Sequence, residues 1–304
     1  MIPALLHLDE ALTAQRRLRQ AVVGAGGRLL DYRDIGPSLR LWTRPAPLER
    51  LRRRLASAVP YELGPVAVFS GSGDFHHVAV LLIERALGVA GGGPITVVHF
   101  DNHPDWVRFE RGAHCGSWVG LAARLPGVAK VITVGVCSGD IGRPQAADLG
   151  VVEDGRLELY PYRAPGSAPA IRLCGREWPA IEAMGENAFA DFLPGRVETE
   201  SVYVTIDKDV LRRQDAATNW DQGATSLDFL KTLITRVAQG RRLVGADVVG
   251  DWSKALYGGD LLAPLLKQAV ALLDQPWRAP ATDVCAANEA VNLELLDLLQ
   301  EVGR

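Results

Sequence analysis

Short apolar runs that alternate with helical segments dominate the pattern of this sequence. The runs are rich in β-branched residues and lie at Val66–Ser70, Ile95–Phe100, Val131–Val136, Val202–Ile206 and Leu243–Val249. Most positions within each run are apolar, rather than alternating with polar ones, which is typical of strands buried on both faces of a parallel sheet. We therefore expect a mainly parallel sheet at the centre of the protein.

Segments with the apolar spacing of helices lie between and after these runs. They are His77–Leu87, Cys115–Arg124, Ser226–Ala238, Leu261–Leu273 and Asn288–Glu301. Thr225 or Ser226 is expected to cap the third of them. Strands that alternate with helices predict an α/β fold in which helices cover the sheet. In contrast, the segment 152–195 shows no clear period, and we expect it to be an excursion from the core, facing substrate or at a subunit contact.

Composition excludes several classes of partner. The chain has 304 residues and a net charge of −3, from 36 acidic and 33 basic residues, so no nucleic-acid partner is expected. The N-terminus does not have the pattern of a signal peptide, and no apolar stretch reaches the roughly 20 residues that span a bilayer, so no membrane partner is expected. The cysteines are far apart and read as free thiols, which predicts a cytoplasmic location.

Chemically active residues follow the predicted strands at the points where the strands end. Gly71–His77 follows the first run, Asp101–Asp105 the second and Asp207–Asp209 the fourth, and the fifth contains Asp247 and leads to Asp251. In an open parallel sheet, ligands bind beyond the carboxyl ends of the strands. The sequence thus predicts that four strand ends deliver carboxylates and imidazoles to one edge of the sheet.

The spacing of these residues favours a metal site. Asp101, His103 and Asp105 lie two positions apart, as do Asp207 and Asp209, and residues two apart in extended backbone point to the same side. Carboxylates together with imidazoles suit manganese-like divalent ions. Two ions would also offset the mutual repulsion of so many carboxylates. A single Asp-x-Asp pair is more often a solvated strand end, but the set on separate strands predicts a metal centre.

Three of these motifs together resemble a known family. Gly73–His76, Asp101–Asp105 and Asp207–Asp209 are similar to the metal-binding motifs of the arginase–agmatinase (ureohydrolase) family, in the same order and with similar separations, and the resemblance covers roughly residues 62–255. It implies a single three-layer α/β/α domain over residues 1–304, with two Mn²⁺ ions bridged by a hydroxide. It also implies a small-molecule substrate and a homo-oligomer.

The resemblance further implies roles for individual residues. One ion would be held by His76, Asp101, Asp105 and Asp207, and the other by Asp101, His103, Asp207 and Asp209. His76 is preferred to His77 because it sets the register of the following helix, and His77 is the alternative ligand. His114 falls where the family places a mobile histidine that transfers protons near the substrate, and is a catalytic candidate.

The sequence departs from the family where substrate is recognised. Family members that cleave guanidino groups carry a glutamate at the position of Gly250, and this glutamate pairs with the guanidinium. Asp251 is adjacent, but a shift of one residue along a strand turns a side chain to the opposite face. Asp251 can replace the glutamate only if the chain turns there, and it is the second catalytic candidate.

Three functions are compatible with this pattern. The leading hypothesis is a manganese-dependent hydrolase that cleaves a C–N bond of a guanidino or amidino compound, a linear amidine. The change at Gly250 favours a second one, an amide deacetylase that uses the same site. The third is a non-catalytic, arginase-like binding subunit, against which stands the presence of every expected ligand and of His114.

Overall fold

A parallel sheet forms the centre of the computed structural model, which describes residues 1–275 and 283–304. The strands are β1 Ile2–His7, β2 Arg28–Asp31, β3 Trp42–Thr43, β4 Val66–Phe69, β5 Ile95–Phe100, β6 Ala113–His114, β7 Val128–Val136, β8 Leu157–Pro161, β9 Ala170–Leu173, β10 Arg176–Pro179, β11 Ser201–Asp207 and β12 Arg242–Val249. Within these described ranges, eight strands pair in the order β2-β1-β4-β12-β11-β5-β7-β8, and every pairing is parallel.

Helices cover both faces of this sheet. They are α1 Arg16–Gly24, α2 Gly36–Leu39, α3 Pro45–Ala58, α4 Ala79–Val89, α5 Trp118–Ala123, α6 Leu149–Glu153, α7 Ile181–Met184, α8 Glu186–Phe192, α9 Leu227–Ala238, α10 Ala263–Asp274 and α11 Val284–Val302. Helices α1, α11, α9 and α8 contact one another in that order, whereas α4 packs against α5 and β12. The result is the three-layer α/β/α architecture that the resemblance implied.

The five strands predicted from apolar runs are confirmed, with ends that differ by up to three residues. All seven residues of β11 are buried, as expected for a strand with helices on both faces. Helix α9 begins after Ser226, whose hydroxyl accepts a hydrogen bond from the Phe229 amide at 3.2 Å. Of the two capping residues that the sequence offered, the structure therefore selects Ser226.

The expectation of an excursion over residues 152–195 is only partly correct. The segment contains β8, which is an edge strand of the main sheet, and then the separate β9–β10 hairpin. The apolar pattern of the sequence does not predict strand β8, because Glu158 interrupts it. Glu158 is nonetheless buried, since Lys130 lies 3.0 Å and Arg196 2.6 Å from its carboxylate. Paired charges can enter a strand that polarity alone would exclude.

The sheet order brings the expected motifs together. Strands β4, β12, β11 and β5 are consecutive in the centre of the sheet, so the loops at their carboxyl ends converge. In the described part of the chain, no helix is sufficiently long and apolar to cross a membrane.

Candidate metal centre

The imidazole of His76 faces a group of carboxylates. His76 lies in the short 3₁₀ segment Gly73–Val78 that follows β4, and its side chain is buried. Its Nδ1 atom is 3.1 Å from Asp101 Oδ2, 3.4 Å from Asp105 Oδ2 and 3.7 Å from Asp207 Oδ2. Among the described residues this nitrogen has no well-aligned hydrogen-bond partner. A buried nitrogen surrounded by carboxylates and lacking a hydrogen bond is a place for a cation.

The other nitrogen of His76 is fixed by a hydrogen-bonded chain. Thr205 Oγ1 lies 2.8 Å from His76 Nε2 and donates its only proton to Asp247 Oδ1 at 3.0 Å. The hydroxyl must therefore accept a proton from Nε2. Neutral His76 consequently presents a lone pair at Nδ1, which is the form of imidazole that binds metal ions. Asp247 lies behind the imidazole and orients it through Thr205.

A second group of ligand atoms forms around His103. Its Nδ1 lies 2.9 Å from Asp209 Oδ2 and 3.5 Å from Asp101 Oδ1. Asp209 is held in turn, because its Oδ1 accepts the Asn102 amide at 3.0 Å. Asp101 belongs to both groups, and Asp207 accepts the Asp209 amide at 3.0 Å. All of the residues expected as metal ligands thus lie in one cluster. Asp207 is outside the two groups and adjoins them through His76 and the Asp209 amide.

The electrostatics of this cluster favour bound cations. Burial, followed by the charge of Asp101, raises the pKa of Asp207 to about 7. Burial alone would lower the pKa of His76, but the neighbouring carboxylates of Asp101 and Asp105 raise it well above its usual value. Without metal, Asp207 and His76 therefore hold their protons more tightly than usual. Divalent ions would displace those protons and neutralise the same carboxylates.

Two members of the cluster escaped prediction. His99 lies on β5 with its Nε2 2.9 Å from Asp101 Oδ2, and Asp221 lies 2.9 Å from His103 Nε2. The spacing could have identified His99, because it lies two residues before Asp101 in extended backbone and shares its face. Asp221 comes from the loop after β11, and the sequence contains no signal that it would return to this site.

Asp105 has an unusual backbone conformation. Its φ is +48°, in the left-handed region that aspartate tolerates better than most residues. The conformation is maintained by the side chain, because the Trp118 indole donates to Asp105 Oδ2 at 2.6 Å. The strained turn places the carboxylate beside His76 instead of in solvent.

A cavity of about 500 Å³ opens onto the cluster. Its lining includes His114, Trp106 and Trp220, together with the charged side chains Asp140, Arg143 and Asp274. No residue of the segment 152–195 lines this cavity, so its expected contact with substrate is not observed.

Asp74 links a buried arginine to the wall of the cavity. It lies two residues before His76, where its Oδ2 accepts a hydrogen bond from the buried Arg40 at 2.7 Å. Its Oδ1 accepts the Trp220 indole at 2.9 Å. Asp74 therefore serves to hold an aromatic side chain that lines the cavity and packs 5.6 Å from the His103 ring.

His114 and His77 have different surroundings from His76. His114 Nδ1 accepts the Gly116 amide at 2.9 Å, and burial lowers its pKa to about 4. His114 is therefore neutral near pH 7 with its proton on Nε2. His77 is fully buried, its ring nitrogens have no hydrogen-bond partner among the described residues, and burial lowers its pKa to about 3. The carboxylates surround His76, which is therefore the stronger candidate ligand.

The structure does not bring Asp251 to the cavity. Its carboxylate forms a buried ion pair with Lys208 at 2.7 Å and accepts hydrogen bonds from Gln15 and Asn292. The preceding residue, Gly250, has a φ of +97°, and a Cβ there would overlap Asp207 Oδ1. Asp251 thus cannot replace the absent glutamate in this arrangement, because its carboxylate is already used in the interior.

The Asp251 ion pair leads to a prediction about stability. Asp251→Ala should lower the free energy of unfolding by about 3–5 kcal/mol, because Lys208 would remain buried without its counter-charge. Chemical denaturation of the metal-free protein measures this. A double variant, Lys208→Met with Asp251→Leu, should recover much of the loss. A metal affinity that falls while stability is unchanged would contradict this assignment and return Asp251 to the metal centre.

Comparisons of the sequence with known proteins give a distant relative and no family. None of the protein-family models matches the chain. A curated relative, an uncharacterized protein of Thermotoga maritima, is 26% identical over 197 residues, which are 65% of this chain and 62% of that protein. The match therefore spans less than two thirds of the relative's length.

Solved structures of arginases and agmatinases superpose on most of the chain. A hypothetical agmatinase from Burkholderia thailandensis has a TM-score of 0.57 at 17% identity, and covers 98% of this chain and 85% of its own. Arginase from Bacillus cereus has a TM-score of 0.58 at 16% identity, with 89% and 96% covered. Arginase from Bacillus caldovelox has a TM-score of 0.57 at 17% identity, with 92% and 99% covered. The chain has the arginase-like fold, and its sequence is a divergent one for that fold.

Proposed function

We propose that this protein is a binuclear manganese hydrolase that cleaves a C–N bond of a guanidino or amidino compound. The observation that carries the proposal is the pair of ligand groups that share Asp101 at the floor of one cavity. The arginase-like fold supports it, as does the agreement between the clustered side chains and the ligands that the family motifs imply.

The donor set fits two divalent ions of the manganese type. Carboxylates and imidazoles surround both centres, and the cysteine that lines the cavity, Cys115, belongs to neither ligand group. When bound, two such ions supply a hydroxide nucleophile at neutral pH. His76 and His103 would then each offer one nitrogen to a different ion, while Thr205 and Asp221 orient the two rings from behind.

The lining of the cavity supports a cationic substrate. Asp140 and Asp274 lie outside both ligand groups, and Arg143 is the basic side chain beside them. Burial raises the pKa of Asp274, and the charge of Asp140 adds to this effect while that of Arg143 opposes it. A positively charged group of the substrate would reduce the repulsion between these two carboxylates. Guanidino, amidino and amine-bearing compounds all have such a group.

The local structure at Gly250 favours a second candidate function. A guanidinium is best recognised by a carboxylate in bidentate contact, and Gly250 supplies none. Asp251 is buried against Lys208, and Gly250, which lies against Asp207, has no side chain. Neither residue therefore offers a carboxylate to a guanidinium. An amide substrate has no guanidinium and needs no such carboxylate, so a metal-dependent deacetylase is the alternative.

One experiment separates these functions. The protein is freed of metal, loaded with Mn²⁺ and incubated with guanidino, formimino and acetylamino compounds that bear a distal amine. Release of urea or formamide supports the leading proposal, whereas release of acetate supports the deacetylase. Binding of two Mn²⁺ ions with no turnover of any compound would contradict both and leave a non-catalytic binding protein.

His114 is proposed to interact with the substrate. In the neutral ring the proton is on Nε2, the nitrogen that can hydrogen-bond to the departing amine, since Nδ1 accepts the Gly116 amide. We expect His114→Ala to keep both metal ions and to lower kcat by roughly 10²–10³-fold, the usual contribution of one positioned hydrogen-bond donor in an active site. Metal content and steady-state kinetics check this. An unchanged kcat would remove His114 from the reaction.

A further inference from the structure

His99 is a third imidazole at the metal centre, and no motif assigns it a role. It lies on β5, is completely buried and makes two hydrogen bonds. Its Nε2 lies 2.9 Å from Asp101 Oδ2, and its Nδ1 lies 3.1 Å from Thr133 Oγ1 on the neighbouring strand β7. The ring packs edge-on against the rings of Trp118, at 4.8 Å, and His76, at 5.1 Å, which also contact each other at 4.7 Å.

The hydrogen-bond partners of His99 define its tautomer. The Asp101 carboxylate can only accept, so the proton of neutral His99 is on Nε2. Its Nδ1 must then accept the hydroxyl proton of Thr133. With both nitrogens used, the imidazole has no lone pair left for a metal ion. His99 therefore differs from His76, whose Nδ1 lacks an aligned partner in the described structure.

Asp101 is held at both oxygens. Its Oδ2 accepts from His99 and its Oδ1 accepts the His103 amide at 2.6 Å. A carboxylate oxygen has two lone pairs, so each oxygen keeps one for a cation. These two hydrogen bonds prevent rotation of the carboxylate that both ligand groups share.

We propose that His99 is a positioning residue of the metal centre, which orients Asp101 so that one carboxylate serves both ions. The inference rests on the proposed binuclear site and adds a residue to it. Partners of this kind behind a metal ligand typically contribute 10–100-fold to metal affinity. His99 is expected to contribute by that amount without being a ligand.

The test is a titration of metal-free protein with Mn²⁺ alone, followed by calorimetry and by metal analysis. The wild type should bind two ions. His99→Phe keeps a buried ring but loses the donor, and should still bind two ions with affinity 10–100-fold weaker. His99→Gln can place an amide N–H near the position of Nε2, and should lose less affinity than His99→Phe. Rescue by a donor of similar reach would show that the hydrogen bond matters, and not the ring.

A second pair of variants keeps the His99 imidazole and changes only its hydrogen-bond partner Thr133. Thr133→Val removes the hydroxyl that holds the His99 ring at Nδ1, so the ring is less firmly oriented toward Asp101 and Mn²⁺ binding should weaken. Thr133→Ser retains the hydroxyl and should bind Mn²⁺ as the wild type does. This pair decides the question if His99→Phe fails to fold.

Two results would overturn the inference. Wild-type affinity in His99→Phe, or in Thr133→Val if the first variant is unfolded, would show that the oriented His99 ring does not position Asp101. Loss of one ion from His99→Phe, with the other bound as tightly as before, would make His99 a ligand. If the wild-type protein does not bind two Mn²⁺ ions, the proposed function itself is wrong. If the wild type binds two ions and the variants bind them equally well, only the inference about His99 is wrong.

Discussion

Replacement of Asp207 by asparagine is expected to abolish both manganese binding and hydrolysis. Asp207 adjoins both ligand groups, since its Oδ2 lies 3.7 Å from His76 Nδ1 and its Oδ1 accepts the Asp209 amide at 3.0 Å. An amide of the same shape provides no negative charge for either ion. Bound metal contributes several kcal/mol to catalysis and each 1.36 kcal/mol is a tenfold change in rate, so we expect a loss of at least roughly 10³-fold. Metal analysis and turnover measure the two effects.

The same substitution should stabilise the metal-free protein. Burial and Asp101 raise the pKa of Asp207 from 3.8 to about 7 in the folded state. A carboxyl group whose folded pKa is raised opposes folding above its unfolded pKa, and the penalty grows until the pH reaches the folded value. The stabilisation by Asp207→Asn should therefore be absent below about pH 4, increase between pH 4 and 7, and stay constant above.

A surface variant provides the control for this stability change. Asp297→Asn alters an exposed carboxylate on α11 and should show no comparable dependence on pH. Chemical denaturation of both variants at several pH values, with chelator present, makes the comparison. Full metal content and normal turnover in Asp207→Asn would exclude Asp207 from the centre.

Placing a glutamate at position 250 should not create a guanidinium site. The φ of Gly250 is +97°, and a Cβ there would overlap Asp207 Oδ1 and lie 2.5 Å from the Lys208 amide. A side chain with this φ costs about 1–2 kcal/mol, and the overlap adds about 1–3 kcal/mol. Because the overlapping group is Asp207, we expect Gly250→Glu to lose Mn²⁺ affinity together with stability. Thermal unfolding with and without Mn²⁺ separates the two losses.

The backbone strain can be separated from the overlap with alanine variants. Gly240 also has a positive φ, +71°, but a Cβ there would meet nothing within 4 Å. Gly240→Ala should therefore lower stability by the strain alone and leave metal binding intact, whereas Gly250→Ala should reduce both. A Gly250→Glu variant that keeps two ions and gains turnover of guanidino compounds would contradict this account.

The centre of the sheet could be predicted because its strands are buried on both faces. Burial on both sides requires continuous apolar runs, and β5 and β11 carry that requirement in their sequences. The edges could not be predicted in the same way. Strand β8 contains Glu158, and its burial depends on Lys130 and Arg196, which come from other parts of the chain.

The sequence by itself determined which residues could bind metal, because carboxylates and histidines recur at spacings that share one face of a strand end. Tertiary structure alone decided how they are used. It directed His76, and not His77, toward the carboxylates, buried Asp251 against Lys208, and brought in His99 and Asp221. The physical reason is that local spacing specifies the direction of a side chain only while the backbone stays extended. Beyond a strand end, direction depends on turns such as Gly250 and on partners that are distant in sequence.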